Sequence, residues 1–451
     1  MGLTEWTILA DDLDYKEACG YIKAAASLGS RPGLSRIRKL CRKLGDPQKK
    51  LRFIHIAGTN GKGSTGAMIA SVLDAAGLTV GMYYSPALTG IRDHYMINGR
   101  LISEEDYAYI VGKVAEANDA LTDETGESAT QFELETAVAF TYFCENHCDA
   151  VVLECGMGGK DDATNIVKDK ICCVFTSISY DHMQYLGRTL RAIASAKAGI
   201  ITSACPVISF DDPPEVIDVI GKKCKSTGST LYTVCRAQVT SDDAIPFGQT
   251  VSYEEFENVP VSLSGTFQAE NAAIAMRTVS VIGNSGLTDG IKIDADVIRK
   301  GLEHTVWPFR FECISAAPPV FVDGAHNADA AVKLWETVER CLAGYKIILI
   351  MGMYADKEYE KVCSILAGLA EAVFTVQTPD DPRALPAKKL AECAARYCSS
   401  VTACDSIGEA FDLALAECDR IGDGTAVVAC GSLSYLNKLA QICGESAEEQ
   451  L

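Results

Sequence analysis

A glycine-rich stretch with one lysine, residues 58–65 (Gly-Thr-Asn-Gly-Lys-Gly-Ser-Thr), carries the residue types that bind a polyphosphate. Glycines allow the backbone to approach a ligand closely, and successive backbone N–H groups can point inward to cradle phosphate oxygens. Lys62 is placed to contact such oxygens, and the hydroxyl of Ser64 or Thr65 is placed to hold Mg²⁺. The alternative is a glycine-rich turn that contains a lysine by chance.

The segments on either side favour phosphate binding. An apolar, β-branched run from Phe53 to Ala57 precedes the glycines, and helical spacing of apolar residues follows up to Leu73. This order predicts a buried strand, a loop and a helix whose N-terminus favours an anion. The usual P-loop pattern places Ser or Thr directly after Gly-Lys, whereas Gly63 intervenes here.

Gly-Thr-Asn-Gly-Lys-Gly-Ser resembles the phosphate loop of the Mur ligase superfamily, in the form found in its folate branch, the folylpolyglutamate and dihydrofolate synthases. The motifs Tyr-x-Glu-Ala, Gly-Leu-x-Arg-Ile and Leu-Gly-x-Pro-Gln, within residues 15–48, resemble the same branch. The resemblance implies that ATP is the cofactor. It implies these nucleotide-binding residues: Gly58, Thr59, Asn60, Gly61, Lys62, Gly63, Ser64, Thr65, Asn271, Arg310, Asp323 and His326.

An acidic residue, Glu154, ends the apolar run that starts at Asp149, and glycines follow it. A carboxylate in that position costs free energy unless it meets a cation, so it is either a Mg²⁺ ligand opposite Ser64 or a surface acid. The segment resembles the family's Glu-x-Gly-x-Gly-Gly-Arg-x-Asp-Ala-Thr-Asn, which implies the metal role. Lys160 replaces the family's arginine. Weaker site candidates in the same segment are Asp161, Asp162 and Asn165.

A third polar segment contains His182 and Lys197. Taken alone, a histidine after a strand is more often a polar loop residue than a ligand, and the alternative for Lys197 is a solvated helix lysine. The run resembles the family's Asp-His…Leu-Gly-x-Thr-Leu…Ile-Ala…Lys-Ala-Gly-Ile. The resemblance implies that His182 is a metal ligand and that Lys197 is carbamylated, which makes it a carboxylate-like metal ligand. Ala196 stands where the family usually has Glu.

Further motifs of the family lie in the second half of the chain. Gln268 and Asn271 resemble its nucleotide-contacting amides, and Arg310 resembles an arginine that reaches the phosphates. Asp323 and His326, in Val-Asp-Gly-Ala-His-Asn, resemble further ATP contacts. The alternative is that these last two cap a helix that starts near residue 327.

The segment that resembles the family's acceptor-binding region departs from the pattern. Ser-Pro-His-Leu…Arg-Glu-Arg-Ile appears as Ser-Pro-Ala-Leu at residues 85–88 and Arg-Asp-His-Tyr at residues 92–95. Phe309 replaces a family glycine beside Arg310. These changes leave the identity of the acceptor more open than the use of ATP.

Composition excludes several classes of protein. The net charge of −19 argues against a sequence-independent nucleic-acid binder, and no apolar run reaches the length of a membrane span. Nineteen cysteines without a Cys-x-x-Cys pair or a secretion signal indicate small buried residues rather than a disulfide framework. We therefore expect a cytoplasmic monomer that acts on small molecules and contacts neither nucleic acid nor membrane.

Alternating strand and helix patterns predict a doubly wound, mostly parallel α/β sheet. The resemblance implies a P-loop domain over residues 1–305 and a smaller C-terminal α/β domain of Mur-ligase type over residues 306–451. A small antiparallel addition is expected between residues 231 and 263, and Trp307-Pro308 is expected to be the linker.

The implied chemistry is ATP-dependent addition of L-glutamate to a folate or dihydropteroate carboxylate through an acyl phosphate. Two Mg²⁺ sites are implied, with Ser64, Glu154, His182 and Lys197 as ligands and Lys62, His182 and Lys197 in catalytic roles. One alternative is a Mur-type ligase that acts on a non-folate carboxylate. Another is a paralogue that binds ATP without ligase activity.

Overall fold

A computed structural model describes residues 13–31, 33–211, 213–243, 248–283, 292–379 and 381–448. The predicted domain limits at residues 1 and 451 lie outside them. The chain forms two compact units, one of residues 1–238 with 271–304 and the other of residues 239–270 with 305–451. Residues 239–270, expected in the first domain, thus group with the second unit. The division at residue 305 stays a prediction.

Seventeen strands are described, in chain order. They are β1 Phe53–Ala57, β2 Val80–Tyr83, β3 Tyr95–Ile97, β4 Arg100–Leu101, β5 Ala150–Glu154, β6 Lys170–Phe175, β7 Pro206–Phe210, β8 Thr230–Val234, β9 Thr240–Asp243, β10 Gln249–Tyr253, β11 Phe256–Val261, β12 Arg310–Ala316, β13 Pro319–Asp323, β14 Lys346–Gly352, β15 Ala370–Val376, β16 Val401–Ala403 and β17 Thr425–Cys430.

Fifteen α-helices accompany them in the described residues. They are α1 Tyr15–Ala24, α2 Ser35–Lys43, α3 Lys62–Ala75, α4 Glu104–Thr125, α5 Gln131–Glu145, α6 Met183–Leu186, α7 Leu190–Ala198, α8 Pro214–Thr227, α9 Thr266–Gly283, α10 Ala295–Glu303, α11 Ala328–Cys341, α12 Tyr359–Leu366, α13 Ala387–Ala394, α14 Ile407–Ile421 and α15 Leu433–Glu448.

The first unit contains an eight-stranded sheet in the order β4-β3-β2-β5-β1-β6-β7-β8. The strands from β2 to β8 in this order are parallel, and β3 and β4 form an antiparallel edge. Every residue of β1, β5 and β6 is buried, because helices cover both faces. Phe53, Val151 and Leu153 face the core formed with α4 and α5. Alternate residues such as Ile56 and Val152 face α3.

The second unit contains two sheets. A three-stranded sheet, β11-β10-β9, is antiparallel, as expected for this region. The larger sheet has the order β12-β13-β17-β14-β15-β16, with β12 antiparallel and the other strands parallel. Its core includes Leu334, Leu349 and Val428. The three-stranded sheet accounts for the short alternating apolar and polar stretches in its part of the sequence.

The predicted α/β class with mostly parallel sheets is confirmed. The helix predicted over residues 103–124 is α4, and Ser103 caps it by accepting from the N–H of Asp106 at 2.9 Å. All nineteen cysteines are free thiols, and most are buried, as predicted. In the described part of the chain, no helix has the length and apolar content that a membrane span needs.

Candidate functional site

The predicted site residues of the first unit meet at one edge of its sheet. In the parallel register, Ile56 of β1 pairs with Glu154 of β5, and Ala57 pairs with Phe175 of β6. The chain segments that follow these three strands therefore leave the sheet at its carboxyl edge, where open α/β sheets bind ligands. The glycine loop follows the central strand of the three.

The start of the glycine loop lies directly against the end of β6. A methyl group placed on Gly58 would lie 1.8 Å from Thr176 Oγ1, so only glycine fits. The N–H of Thr59 donates to Ser177 O at 2.6 Å, and its hydroxyl donates to Ser179 O at 3.1 Å. These contacts fix the loop to its neighbour in the sheet.

The second glycine of the loop needs a backbone conformation that other residues avoid. Gly61 has φ +83°, and a methyl group there would lie 2.4 Å from Asn271 Oδ1. Asn271 is 6% exposed and belongs to the same compact unit. The structure thus brings the predicted amide Asn271 against the glycine loop.

Helix α3 begins at Lys62 and directs its first N–H groups toward the loop. Thr65 donates to Gly61 O at 2.9 Å, so the N–H groups before it have no carbonyl within the helix and point off its end. An anion is favoured at such a helix end. Ser64 is 1% exposed, and Thr65 is fully buried with no partner for Oγ1 among the described residues.

Lys62 and Glu154 form a partly buried ion pair. Lys62 Nζ lies 3.5 Å from Glu154 Oε1 and donates to Thr59 O at 3.2 Å. Glu154 is 6% exposed, which excludes the surface-acid alternative. The pair places a cation and an anion beside the loop. A bound phosphate can pair with the lysine, and a metal ion can be coordinated by the carboxylate.

Lys197, on α7, is buried beneath the same loop. It is 4% exposed, and Nζ donates to Gly58 O at 2.6 Å. Burial lowers the pKa of Lys197 to about 7, and the nearby Lys62 ammonium acts in the same direction. The solvated-lysine alternative is therefore wrong. Near neutral pH this amine is partly unprotonated, and an unprotonated amine is nucleophilic.

His182 follows β6 and is less enclosed. Its side chain is 39% exposed, and Nε2 lies 3.7 Å from Asp181 Oδ2. The residue has φ +49°, and its N–H donates to Asp181 Oδ1 at 2.8 Å. The histidine therefore stands on a locally constrained turn at the same sheet edge.

Two weaker candidates, Asp162 and Asn165, form hydrogen bonds with the protein's own backbone. Asp162 accepts from the N–H groups of Met157 and Thr164, at 2.9 and 3.0 Å. Asn165 donates to Lys160 O and Gly199 O, each at 3.1 Å. Both residues hold the loop after β5 in place.

Sequence reasoning missed the buried histidine below that loop. His55 is fully buried on β1, with Nε2 2.9 Å from Thr164 Oγ1 and 3.1 Å from Cys155 Sγ. Burial lowers the pKa of His55 well below its ordinary value, so it is neutral. The signal available was a histidine inside an otherwise apolar strand, which needs a polar partner.

The predicted ATP contacts of the second unit are close to one another. Arg310 and Asp323 are register partners on β12 and β13, and Arg310 Nη1 donates to Phe309 O at 2.9 Å. Asp323 accepts from the N–H groups of Phe311 and Ala325 at 2.9 and 2.8 Å. Burial raises the pKa of Asp323 to about 6, and Arg310 opposes that shift.

The helix-capping alternative for Asp323 and His326 is wrong. Asn327 caps α11 by accepting from the N–H of Ala330 at 2.9 Å, whereas His326 Nδ1 lies 2.9 Å from Gly324 O. Gln268 is also in this unit and fully buried.

The replacement of a family glycine by Phe309 has a visible consequence. Phe309 has φ +58°, a region that bulky residues rarely adopt, and Arg310 begins strand β12 directly after it.

The residues present suit Mg²⁺ only in part. Glu154 and Ser64 are oxygen donors, which Mg²⁺ prefers, and Mg²⁺ commonly takes one or two carboxylates plus phosphate oxygens. Within the described residues, no three His, Cys, Asp or Glu side chains converge as a metal site. Phosphate oxygens of a bound nucleotide would therefore have to supply part of the ligands of a metal ion here.

Two family models match the chain. The Mur ligase middle domain matches residues 56–279, and the Mur ligase glutamate ligase domain matches residues 309–433. The dihydrofolate synthase/folylpolyglutamate synthase of Bacillus subtilis (strain 168) is 36% identical over 382 residues, which cover 83% of this chain and 88% of that protein.

Solved structures agree with these matches. Mycobacterium tuberculosis folylpolyglutamate synthase complexed with ADP and AMPPCP has a TM-score of 0.87 at 27% identity, covering 96% of this chain and 99% of that one. E. coli FolC in complex with DHPP and ADP has a TM-score of 0.82 at 27% identity, covering 99% and 100%. The chain therefore belongs to the folylpolyglutamate synthase/dihydrofolate synthase family of Mur ligases.

Proposed function

We propose that this chain is an ATP-dependent ligase that joins L-glutamate to the carboxylate of a folate or of dihydropteroate. The acceptor carboxylate attacks the γ-phosphorus of ATP, the bond to ADP breaks, and an acyl phosphate forms. The glutamate amine then attacks the acyl carbon, phosphate leaves, and an amide bond forms. Membership of the family and the activities in the names of its relatives support this assignment.

The observation that carries the proposal is the Lys62–Glu154 pair beside the glycine loop. In this proposal Lys62 turns to the β- and γ-phosphates and offsets the charge that develops during transfer. Residues 58–65 hold the triphosphate through backbone N–H groups at the start of α3. Asn271, which touches the loop, fixes the position of the nucleotide.

Mg²⁺ would be held by Ser64, Glu154 and His182 with phosphate oxygens, and would neutralise charge on the phosphoryl group. Two Mg²⁺ ions are proposed to bind. When Lys62 moves to phosphate, Glu154 is a buried carboxylate that needs another cation. This need supports the metal role of Glu154.

Carbamylation of Lys197 is proposed on the basis of its burial and its lowered pKa. The unprotonated, neutral amine attacks CO₂ and loses a proton, which converts the amine into an anionic carbamate. Because Nζ is 2.6 Å from Gly58 O, the modification would replace that contact and place negative charge behind the loop. Lys197 would then join the metal ligands.

Arg310, Asp323 and His326, in the predicted C-terminal domain of residues 306–451, are proposed as further nucleotide-binding residues. Their support is that Arg310 and Asp323 are cross-strand neighbours and that Asp323 is buried. Because a single chain supplies every residue in this proposal, we propose an active monomer; its cytoplasmic location stays a prediction.

The direct test supplies the protein with ATP, Mg²⁺, L-glutamate and either dihydropteroate or a tetrahydrofolate, and measures ADP release and product mass. Turnover that needs both glutamate and a pterin, with a product heavier by one glutamyl residue, is expected. ATP binding without acceptor-dependent turnover across a broad panel of acids would instead indicate a paralogue without ligase activity.

One observation favours a second candidate, a ligase for a non-folate acid. Ala87 offers no polar group, and His94 is buried with Nδ1 bound to a backbone carbonyl. Turnover with another carboxylate but with neither pterin would establish this alternative.

A further inference from the structure

The segment of residues 84–90, here called the β2 loop, lies beside the Lys62–Glu154 pair. Tyr83 of β2 pairs with Leu153 of β5, so the loop begins level with Glu154. Neighbouring strands are about 4.8 Å apart. The β2 loop therefore borders the place where the proposed function puts the γ-phosphate, which the acceptor carboxylate must reach.

One buried carboxylate, Asp93, organises the end of this loop. Asp93 is 4% exposed. Its Oδ2 accepts from the N–H groups of Leu88 and Thr89 at 2.8 and 2.7 Å, and its Oδ1 accepts from the N–H of Gly90 at 2.8 Å. Three consecutive N–H groups on one carboxylate fix the backbone of the loop, because charge-assisted hydrogen bonds are strong and directional.

His94 fixes the start of the same loop. It is buried, and Nδ1 lies 2.6 Å from Tyr84 O, so Nδ1 carries the hydrogen. Leu88 is buried as well, whereas Pro86 and Thr89 are exposed. The loop is thus held from inside at both ends, by His94 at Tyr84 and by Asp93 at Leu88, Thr89 and Gly90.

We propose that Asp93 is a positioning residue for the acceptor acid: it acts by fixing the β2 loop as one wall of the acceptor site, with His94 as the second anchor. This inference rests on the proposed function. Asp93 does not touch the reacting atoms, because both carboxylate oxygens are bound to the loop. Its effect comes from orientation, since small displacements of a bound reactant reduce the rate strongly.

The test variant is Asp93→Asn. An amide keeps one accepting oxygen and turns an NH₂ group toward donors, so at least one loop N–H loses its partner. We expect the KM for the acceptor to rise about ten- to a hundredfold, as for the loss of one or two hydrogen bonds to a charged group. The KM for ATP should stay within about twofold, because the glycine loop is held by other contacts.

Hydrogen exchange of the Leu88, Thr89 and Gly90 amides provides a second readout and should be faster in D93N. Asp123→Asn is the matched control, since Asp123 is exposed on α4. If D93N does not fold, Asp93→Glu keeps the charge but shifts the oxygens, and a smaller rise in acceptor KM is expected.

The outcomes separate this inference from the proposed function. A wild-type protein without glutamate-dependent turnover refutes the proposed function. An active wild type whose D93N variant shows faster amide exchange but an unchanged acceptor KM refutes the positioning role. Equal changes in the KM values for ATP and acceptor would also refute it, because they indicate a general loss of structure.

Discussion

Two loops at one edge of the first unit's sheet use their backbone N–H groups in opposite ways. In the glycine loop, the N–H groups before Thr65 point off the start of α3, where a phosphate can accept them. In the β2 loop, the N–H groups of Leu88, Thr89 and Gly90 are taken by Asp93. The first loop is built to bind an anion, and the second is built to keep its own shape.

This difference between the two loops explains why the β2 loop departs from the family's sequence motif while the glycine loop keeps it. Gly58 and Gly61 leave no room for a side chain, so few substitutions are possible in the glycine loop. The β2 loop has Ala87, and its anchors are Asp93 and His94, where the family pattern has other residues; the hydrogen bonds from Asp93 and His94 hold the loop in place. The acceptor side is therefore where we expect this chain to differ from its relatives.

The largest effect is expected from Lys62→Ala. Removing the ammonium next to the triphosphate should lower kcat/KM by at least about a thousandfold, since it removes charge stabilisation in the transition state. ADP release with saturating glutamate and acceptor measures this. Lys50→Ala is the matched control, because Lys50 is an exposed lysine outside the site. A loss below about tenfold would disprove the phosphate role.

The next effect concerns pH and CO₂. Since Lys197 loses its proton near pH 7, activation by bicarbonate should increase as the pH rises through about 7, and Lys197→Met should abolish it. The folded-state pKa lies below the ordinary 10.5, so unfolding takes up a proton between these values and stability rises with pH there. Initial rates in CO₂-depleted and bicarbonate buffers, at constant ionic strength, measure the activation. Equal rates in both buffers would rule out carbamylation.

Gly58→Ala should have a smaller effect that is confined to the glycine loop. The added methyl group collides with Thr176 Oγ1, which should cost about 1–3 kcal/mol of unfolding free energy and raise the KM for ATP. Urea unfolding and ATP titration measure the two effects. Gly20→Ala, on α1 with nothing within 4 Å of the added group, is the control and should be neutral or stabilising. Partial rescue by Thr176→Ala is expected, and its absence would contradict the proposed contact.

The smallest effect on ATP use is expected from Asp162→Asn, the counterpart of Asp93→Asn. The carboxylate oxygens of Asp162 also accept hydrogen bonds from backbone N–H groups, but in the loop after β5. Stability should fall by about 1–3 kcal/mol, with a change in the KM for ATP below about twofold. Thermal unfolding and ADP release measure these effects. A large rise in the KM for ATP would place Asp162 in the nucleotide site instead.

Strong local patterns predicted much of the fold. The buried runs that form β1, β5, β6 and β14 and the capped helix α4 are set by composition and a capping serine. The short strands β3, β4 and β16 have two or three residues each and no distinct pattern, and β12, which directly follows the expected linker Trp307-Pro308, was not predicted to be a strand. Tertiary pairing, which a single sequence does not reveal, determines these strands.

Several predicted site residues lie at the same edge of the sheet, their roles stay predictions, and some of their contacts were not predicted. Glu154 was expected opposite Ser64 of the glycine loop, and the structure places Glu154 Oε1 3.5 Å from Lys62 Nζ of the same loop. The burial of Lys197 under Gly58 and the bonds from Asp93 to the β2 loop depend on contacts between distant segments or on loop shape. Neither follows from spacing along the chain.

The most direct test of the central claim follows one oxygen atom. Dihydropteroate labelled with ¹⁸O in its carboxylate is incubated with the protein, ATP, Mg²⁺ and L-glutamate, and the released phosphate is analysed by mass spectrometry. Attack of the carboxylate on the γ-phosphorus predicts one ¹⁸O atom in each phosphate formed. Glutamate-dependent product together with unlabelled phosphate would contradict the account, because the acid would then not have been activated by phosphorylation.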